Sequence, residues 1–116
     1  MEPRIQRAIR LMTVDLGREV SLNELAQTLN LSASRLRHLF KDETGVSPAQ
    51  YIKAQRMQRA KELLEATFLH VKEVMLQVGV KDKSSFVRDF KKVYGLSPSR
   101  YRIQYLMARQ KIIHDR

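Results

Sequence analysis

The chain of 116 residues contains no cysteine. That absence excludes disulfide frameworks, thiolate catalysis and zinc sites built on cysteine. It suits a reducing compartment, and the chain is expected in the cytoplasm. Long apolar runs are missing as well. Nothing near "MEPRIQRAIRLM" has the apolar centre of a signal peptide, and no segment approaches the roughly 20 apolar residues that span a bilayer. Strand signals are scarce: "VMLQVGV" is the one weak candidate, and it reads better as the end of a short helix. The histidines, His38, His70 and His114, lie far apart, with no His-x-x-x-His or Glu-paired metal spacing. There is no Gly-rich phosphate loop and no nucleophile elbow. The chain is therefore expected to be no enzyme, and to need no metal and no cofactor.

What the chain does have is positive charge. Twenty-two Lys and Arg oppose twelve Asp and Glu, for a formal charge of +10 and a pI near 10.3. Such an excess points to a polyanionic partner, with nucleic acid first and an anionic membrane surface second. At 43% apolar residues the chain can fold, as one ordinary domain or two very small ones with modest cores.

Hydrophobic periodicity divides the chain into seven helical stretches, an all-α fold. The first runs over about 4–17, where Ile5, Ala8, Ile9 and Met12 recur at three- and four-residue steps and Gly17 provides an end. "SLNELAQTL" follows, with Ser21 as N-cap and Glu24 three residues later as a capping box. The remaining helices are expected at about 33–44, 48–66, 70–78, 83–94 and 98–112.

Much of this is written twice. "LNELAQTLNL" at 22–31 aligns with "VKEVMLQVGV" at 71–80, and "SRLRHLFKDETGVSPAQY" at 34–51 aligns with "SSFVRDFKKVYGLSPSRY" at 84–101. The offset is 49 in the first block and 50 in the second, with the extra residue in "KDK" at 81–83. Each copy reads as short helix, tight turn, second helix, Gly, and Ser-Pro opening a third. A helical solenoid needs about three repeats to bury a continuous core. Two copies joined by one long helix instead suit a pair of helix-turn-helix units, whose second helix enters the DNA major groove. The division expected is 1–46 for the first subdomain, 47–67 for a linker helix, and 68–116 for the second subdomain and C-terminal helix.

The most conspicuous repeated phrase, Gly-x-Ser-Pro-x-x-Tyr, is structural punctuation. Gly45 and Gly95 stand where a left-handed residue ends a helix. Ser47 and Ser97 are N-caps, and Pro48 and Pro98 take the first helical position, where no amide hydrogen is missed. Gln50 can close a capping box with Ser47, while Val46 on Tyr51 and Leu96 on Tyr101 can staple the corner. Functional residues are sought in the helix before each hinge. In the first copy Leu36, Leu39 and Phe40 face the core, leaving Ser34, Arg37, His38 and Lys41 to point outward. In the second, Phe86, Phe90 and Tyr94 form the apolar stripe and leave Lys83, Ser84, Val87, Arg88 and Lys91 exposed. Arg can hold guanine by two bonds, Ser can bond several base edges, and Val can touch a thymine methyl. Lys41, Lys91 and Lys92, farther along, are candidates for phosphate contacts. The linker of about 28 Å, at 1.5 Å per residue, compares with about 34 Å between successive major-groove faces. Its apolar line Tyr51, Ala54, Met57, Ala60, Leu64 is expected to lie against both subdomains.

"VGVKDKSSFVRDFKKVYGLSPSRYR" at 78–102 resembles the most diagnostic stretch of the AraC/XylS family of bacterial transcription regulators. Gly79, Asp82, Ser84, Phe86, Arg88, Phe90, Lys91, Gly95, Pro98, Tyr101 and Arg102 fit its pattern, and "RLRHLFKDETGVSPAQYI" is similar to the family's first recognition helix and linker. The likeness covers about Ile5 to Arg102. It implies two helix-turn-helix subdomains bridged by a long helix, each placing a recognition helix in successive major-groove segments of an operator or promoter. Base-reading candidates carried over are Ser34, Arg37 and His38, then Lys83, Ser84, Val87 and Arg88. Val80 replaces a usual aromatic, Met75 a common Ala, and Ser85 a common Tyr or His. The first two departures change core packing; the third makes the start of the second head less bulky. The implied partners are double-stranded DNA and RNA polymerase, with no membrane. Family members commonly carry a separate ligand-binding or dimerisation domain, which these residues do not include. The chain is expected to be a standalone regulator or, the preferred reading, the DNA-binding part of a longer one.

Two rival readings are a helical protein-interaction module and an amphipathic membrane binder. Weak duplex binding unchanged by salt favours the first. Basic residues spread over several helices, with no large apolar face between them, count against the second.

Overall fold

In the computed structural model, residues 1–114 are described, with side chains through Lys111. The described residues form seven helices and no strand: α1 Pro3–Thr13, α2 Leu22–Thr28, α3 Ala33–Thr44, α4 Pro48–Ala66, α5 Val71–Gln77, α6 Lys83–Tyr94 and α7 Pro98–His114. Asp115 and Arg116, at the end of the expected second subdomain, lie outside the described residues, as does the His114 side chain.

Helix starts follow the capping residues. Ser32 Oγ accepts from the Arg35 amide at 3.0 Å, and Asp82 Oδ2 accepts from the Ser85 amide at 3.1 Å, fifty residues on. Ser21 Oγ accepts from the Glu24 amide at 3.4 Å. Ser47 and Gln50 form a reciprocal box: the Ser47 amide donates to Gln50 Oε1 at 3.1 Å, and the Gln50 amide donates to Ser47 Oγ at 3.2 Å. Ser97 repeats the cap alone, accepting from the Arg100 amide at 3.3 Å. Helix ends follow backbone handedness. Gly45 and Gly95 cap α3 and α6 with φ of 81° and 82°.

The two helix-turn-helix corners are built alike. Asn30 (φ 58°) and Gly79 (φ 87°) hold the left-handed turn position in each. The Leu31 amide donates to Ala26 O at 2.8 Å and the Val80 amide donates to Met75 O at 3.0 Å, the same bond 49 residues apart. Asparagine serves in the first copy because it tolerates this region better than other side-chain-bearing residues.

One helix boundary departs from expectation by a full turn. α1 stops at Thr13, short of 17. The Thr13 hydroxyl donates to Ile9 O at 2.7 Å, and Asp15 then turns the chain by accepting from the Gly17 amide at 3.1 Å. That local side-chain turn competes with helix continuation. Gly17 does not adopt a positive φ and is not the terminator.

The chain divides into two units, Met1–Gln55 and Arg56 onward, so the boundary falls inside α4. In the first unit Ile5, Ala8 and Met12 of α1 pack with Leu25, Ala26, Leu29, Leu36 and Phe40, flanked by Tyr51 and Ile52 from the start of α4. In the second, Met57, Ala60, Leu63 and Leu64 of α4 pack with Val74, Met75, Val78, Phe86 and Phe90, flanked by Val80, Tyr94 and Tyr101. Met57, Ala60 and Leu64 therefore do for the second core what Ile5, Ala8 and Met12 do for the first. The structural repeat has one more helix than the sequence repeat suggests, and α4 belongs to both copies. Ala54, expected in the linker's apolar line, is exposed, and Leu63 is buried instead. The line is broken because each unit takes its own short segment of the helix.

Candidate nucleic-acid interface

On α3, Leu36 and Phe40 are fully buried, which turns the opposite face to solvent. Ser34, Arg37, His38 and Lys41 are all exposed there, at i, i+3, i+4 and i+7 spacing. On α6 the equally buried Phe86 and Phe90 orient the helix the same way. Ser84, Arg88 and Lys91 are exposed at the equivalent positions, and Lys83 and Lys92 are exposed beside them. Val87 is half-buried, which leaves less of its side chain for a base than full exposure allows. Ser34, Arg37, His38 and Lys41 thus share one face of α3, and Ser84, Val87, Arg88 and Lys91 share one face of α6, with Lys83 and Lys92 at its two edges.

The polar surroundings differ between the two faces. The Arg88 guanidinium lies 3.7 Å from the Asp89 carboxylate, and its side chain is 72% exposed. At that distance the ion pair orients the arginine without consuming its hydrogen-bonding capacity. Asp82 is held below the usual carboxylate range by the Ser85 hydroxyl, which donates at 2.5 Å, then by the Ser85 amide. Ser85 therefore serves the cap. Lys41, and Lys91 with Lys92, occupy the last turns of α3 and α6, where cations also offset the negative end of the helix dipole.

The outward faces are fixed from behind by the hinge tyrosines. Tyr51 meets Phe40 edge-on at 5.4 Å between ring centroids, and Tyr101 meets Phe90 edge-on at 5.6 Å. Each aromatic pair joins α3 or α6 to the helix that follows it. The second copy adds polar anchors. The Tyr101 hydroxyl donates to Glu65, and Arg102 donates from Nε to Leu64 O at 3.1 Å and from Nη2 to Thr67 O at 3.3 Å. Leu64 O lies in the last turn of α4 and Thr67 O just beyond its end, so Arg102 satisfies groups that helix geometry leaves open. Burial and the Glu65 bond push the Tyr101 phenol up to about 12. Lys61 sits 5.8 Å from the centre of the Tyr94 ring and 3.9 Å from Glu65. Sequence reading placed Arg102 in the motif but gave it no anchoring role, because backbone acceptors 35 and 38 residues away carry no residue signature.

Among the described residues, no group of three or more His, Cys, Asp or Glu side chains is placed to hold a metal ion. No helix there is long and apolar enough to cross a membrane. His38 lies on the α3 face, and the His70 amide donates to Glu73 at 3.0 Å in the first turn of α5.

Known proteins share this arrangement. A family model described as a helix-turn-helix domain matches residues 25–104. The arabinose operon regulatory protein of Escherichia coli is 36% identical over 103 residues, covering 88% of this chain and 35% of that protein. The chain thus spans about a third of that relative's length. The C-terminal domain of AraT, a response regulator from Geobacillus stearothermophilus, superposes with a TM-score of 0.82 at 32% identity, covering 89% of this chain and 86% of that one. The DNA-binding domain of AdpA, a global transcriptional factor solved with a target DNA, gives 0.87 at 25% identity, covering 94% and 98%. That class is one of regulator domains and not of enzymes. With two helix-turn-helix units of matching construction, the family's motif residues in place and a family model spanning both, the chain belongs to the AraC/XylS family.

Proposed function

We propose that the chain is a sequence-specific double-stranded DNA-binding unit of a bacterial transcription regulator. Its two recognition helices, α3 and α6, would occupy successive major-groove segments. The observation that carries this reading is the pair of equivalent outward faces, whose supporting caps, turns and aromatic pairs repeat while Arg37 and His38 become Val87 and Arg88. A duplicated scaffold with different polar faces suits the reading of two different half-sites. AdpA's complex with its target DNA supports the same class of partner, and the formal charge of +10 supplies the attraction to phosphate.

In this reading Ser34, Arg37 and His38 read one segment, and Lys83, Ser84, Val87 and Arg88 read the other. Lys41, Lys91 and Lys92 bind phosphates. Residues 1–46 and 68–116 act as the two heads, with 47–67 as linker. The setting is the bacterial cytoplasm, and RNA polymerase is the second partner. Selection of bound sites from a random duplex library, followed by footprinting, tests the proposal. An asymmetric site with protection in two major-groove segments is the expected result. Protection of a single segment, or weak binding indifferent to salt, counts against it and favours a protein-interaction role.

A further inference from the structure

α7 repeats the linker helix fifty residues on, and in doing so presents an uncovered face. It packs through Pro98, Tyr101, Arg102 and Tyr105, which are buried or half-buried. Ile103, Leu106 and Met107 lie on the far side of the helix, at i, i+3 and i+4 spacing, and are 56%, 44% and 63% exposed. Met107 corresponds in the repeat to Met57, which is 2% exposed in the core that α5 and α6 close. Met57, Ala60 and Leu64 are the residues by which α4 carries that helix pair. At the corresponding positions of α7, Met107 and Gln110 are exposed. A lone exposed apolar side chain needs no explanation, but three neighbours in a row on a highly charged chain do.

Charge narrows what can cover this face. Pro98–His114 contains no acidic residue and carries Arg100, Arg102, Arg109 and Lys111. Arg102 is engaged with the end of α4, whereas the exposed Arg100 and Lys111 run along one edge of the apolar row. Two such helices side by side would set like charges against each other. Duplex DNA would satisfy the cations and leave the apolar row in water.

We infer that this face of α7 is a docking surface for an acidic amphipathic helix of a partner protein. The partner's aliphatic side chains lie on Ile103, Leu106 and Met107, and its carboxylates meet Arg100 and Lys111. Such packing is ordinary helix-on-helix association with a charged edge. It does not depend on the DNA-binding reading. The test uses the full chain and a synthetic helical peptide with Leu on one face and Glu on the others, followed by amide chemical shifts. Saturable shifts confined to about residues 100–111 are expected, with affinity falling at least about tenfold for Met107→Glu, as loss of one buried anchor predicts. A peptide with Lys in place of Glu should bind at least about tenfold more weakly. Met107 is exposed, so the variant should keep its circular dichroism and its affinity for random-sequence duplex DNA. Absence of peptide binding, or equal binding by Met107→Glu, overturns the inference. A dimer seen by sedimentation and abolished by Met107→Glu would give the face to a second copy. A loss of duplex affinity in that variant would give it to DNA. Either outcome also overturns the proposal.

Discussion

Arg88 and His38 occupy equivalent positions on the two recognition helices, yet they offer a base edge different chemistry. A guanidinium can make paired donations to guanine, whereas an imidazole offers at most one contact to an edge. Arg88→Ala is therefore expected to cost about 1–3 kcal/mol on the selected site and to relax preference at one or two base pairs. Equal losses on selected and random duplex would make Arg88 a phosphate contact. His38→Ala should change preference only in the other half-site, which repeating the selection with that variant would reveal. Tyr101 supports a prediction about the scaffold. Its phenol is raised from 10.0 to about 12, first by burial and then by donation to Glu65. A raised pKa means that the protonated phenol stabilises the fold fully below about pH 10, and that this stability is lost as pH climbs towards about 12. Tyrosinate absorbance should accordingly show a late phase that Tyr101→Phe diminishes, the Tyr94 phenol being raised by burial as well. The same substitution should cost about 1 kcal/mol near neutrality, measured by denaturant unfolding, because the ring packing on Phe90 survives while the hydrogen bond is lost.

At the scale of elements, the hinges were legible and the shared helix was not. Gly45, Ser47, Pro48 and Gly95 act within a few residues of the ends they define, so the ends of α3 and α6 and the start of α4 could be read directly, whereas the Ser32 and Asp82 caps emerge only from the structure. α1 was overextended because the Asp15 turn that ends it is as local as a helix cap but less distinctive in sequence. The correspondence of Ile5, Ala8 and Met12 with Met57, Ala60 and Leu64 was hidden for another reason. Its residue types change, and it overlaps a helix that also serves the first unit. The exposed faces of α3 and α6 followed from their periodicity, whereas the Arg102 anchors depended on tertiary contacts to backbone carbonyls. The hinge glycines allow a clean test. A Cβ added at Gly45 or Gly95 would meet no atom within 4 Å, so only the left-handed backbone opposes substitution. Gly45→Ala and Gly95→Ala should each cost about 1–2 kcal/mol in thermal or denaturant unfolding. Gly45→Asn should cost less, as the asparagine already accommodated at position 30 indicates.

At the scale of the whole chain, charge and tandem construction make separable contributions to DNA binding. The excess of 22 cationic over 12 anionic residues predicts that affinity falls linearly with salt on logarithmic axes, by about 0.9 per phosphate neutralised. Lys91→Ala should weaken selected and random duplexes by similar factors and reduce that slope by about 1, because a phosphate contact carries affinity without sequence information. The tandem arrangement has a different signature. If both heads bind together, the second binds at the high effective concentration set by its covalent link to the first. A duplex of unchanged length with one half-site scrambled should therefore retain most of the salt slope, since phosphates remain available to both heads. It should nevertheless lose on the order of 10²–10⁴ in affinity at fixed salt, the scale on which linked sites reinforce one another. Shortening the duplex to a single half-site should lower both affinity and slope. Fluorescence anisotropy over a salt series on these three duplexes distinguishes the cases. An unchanged affinity on the scrambled site would mean that one head reads the sequence while the other holds only the backbone.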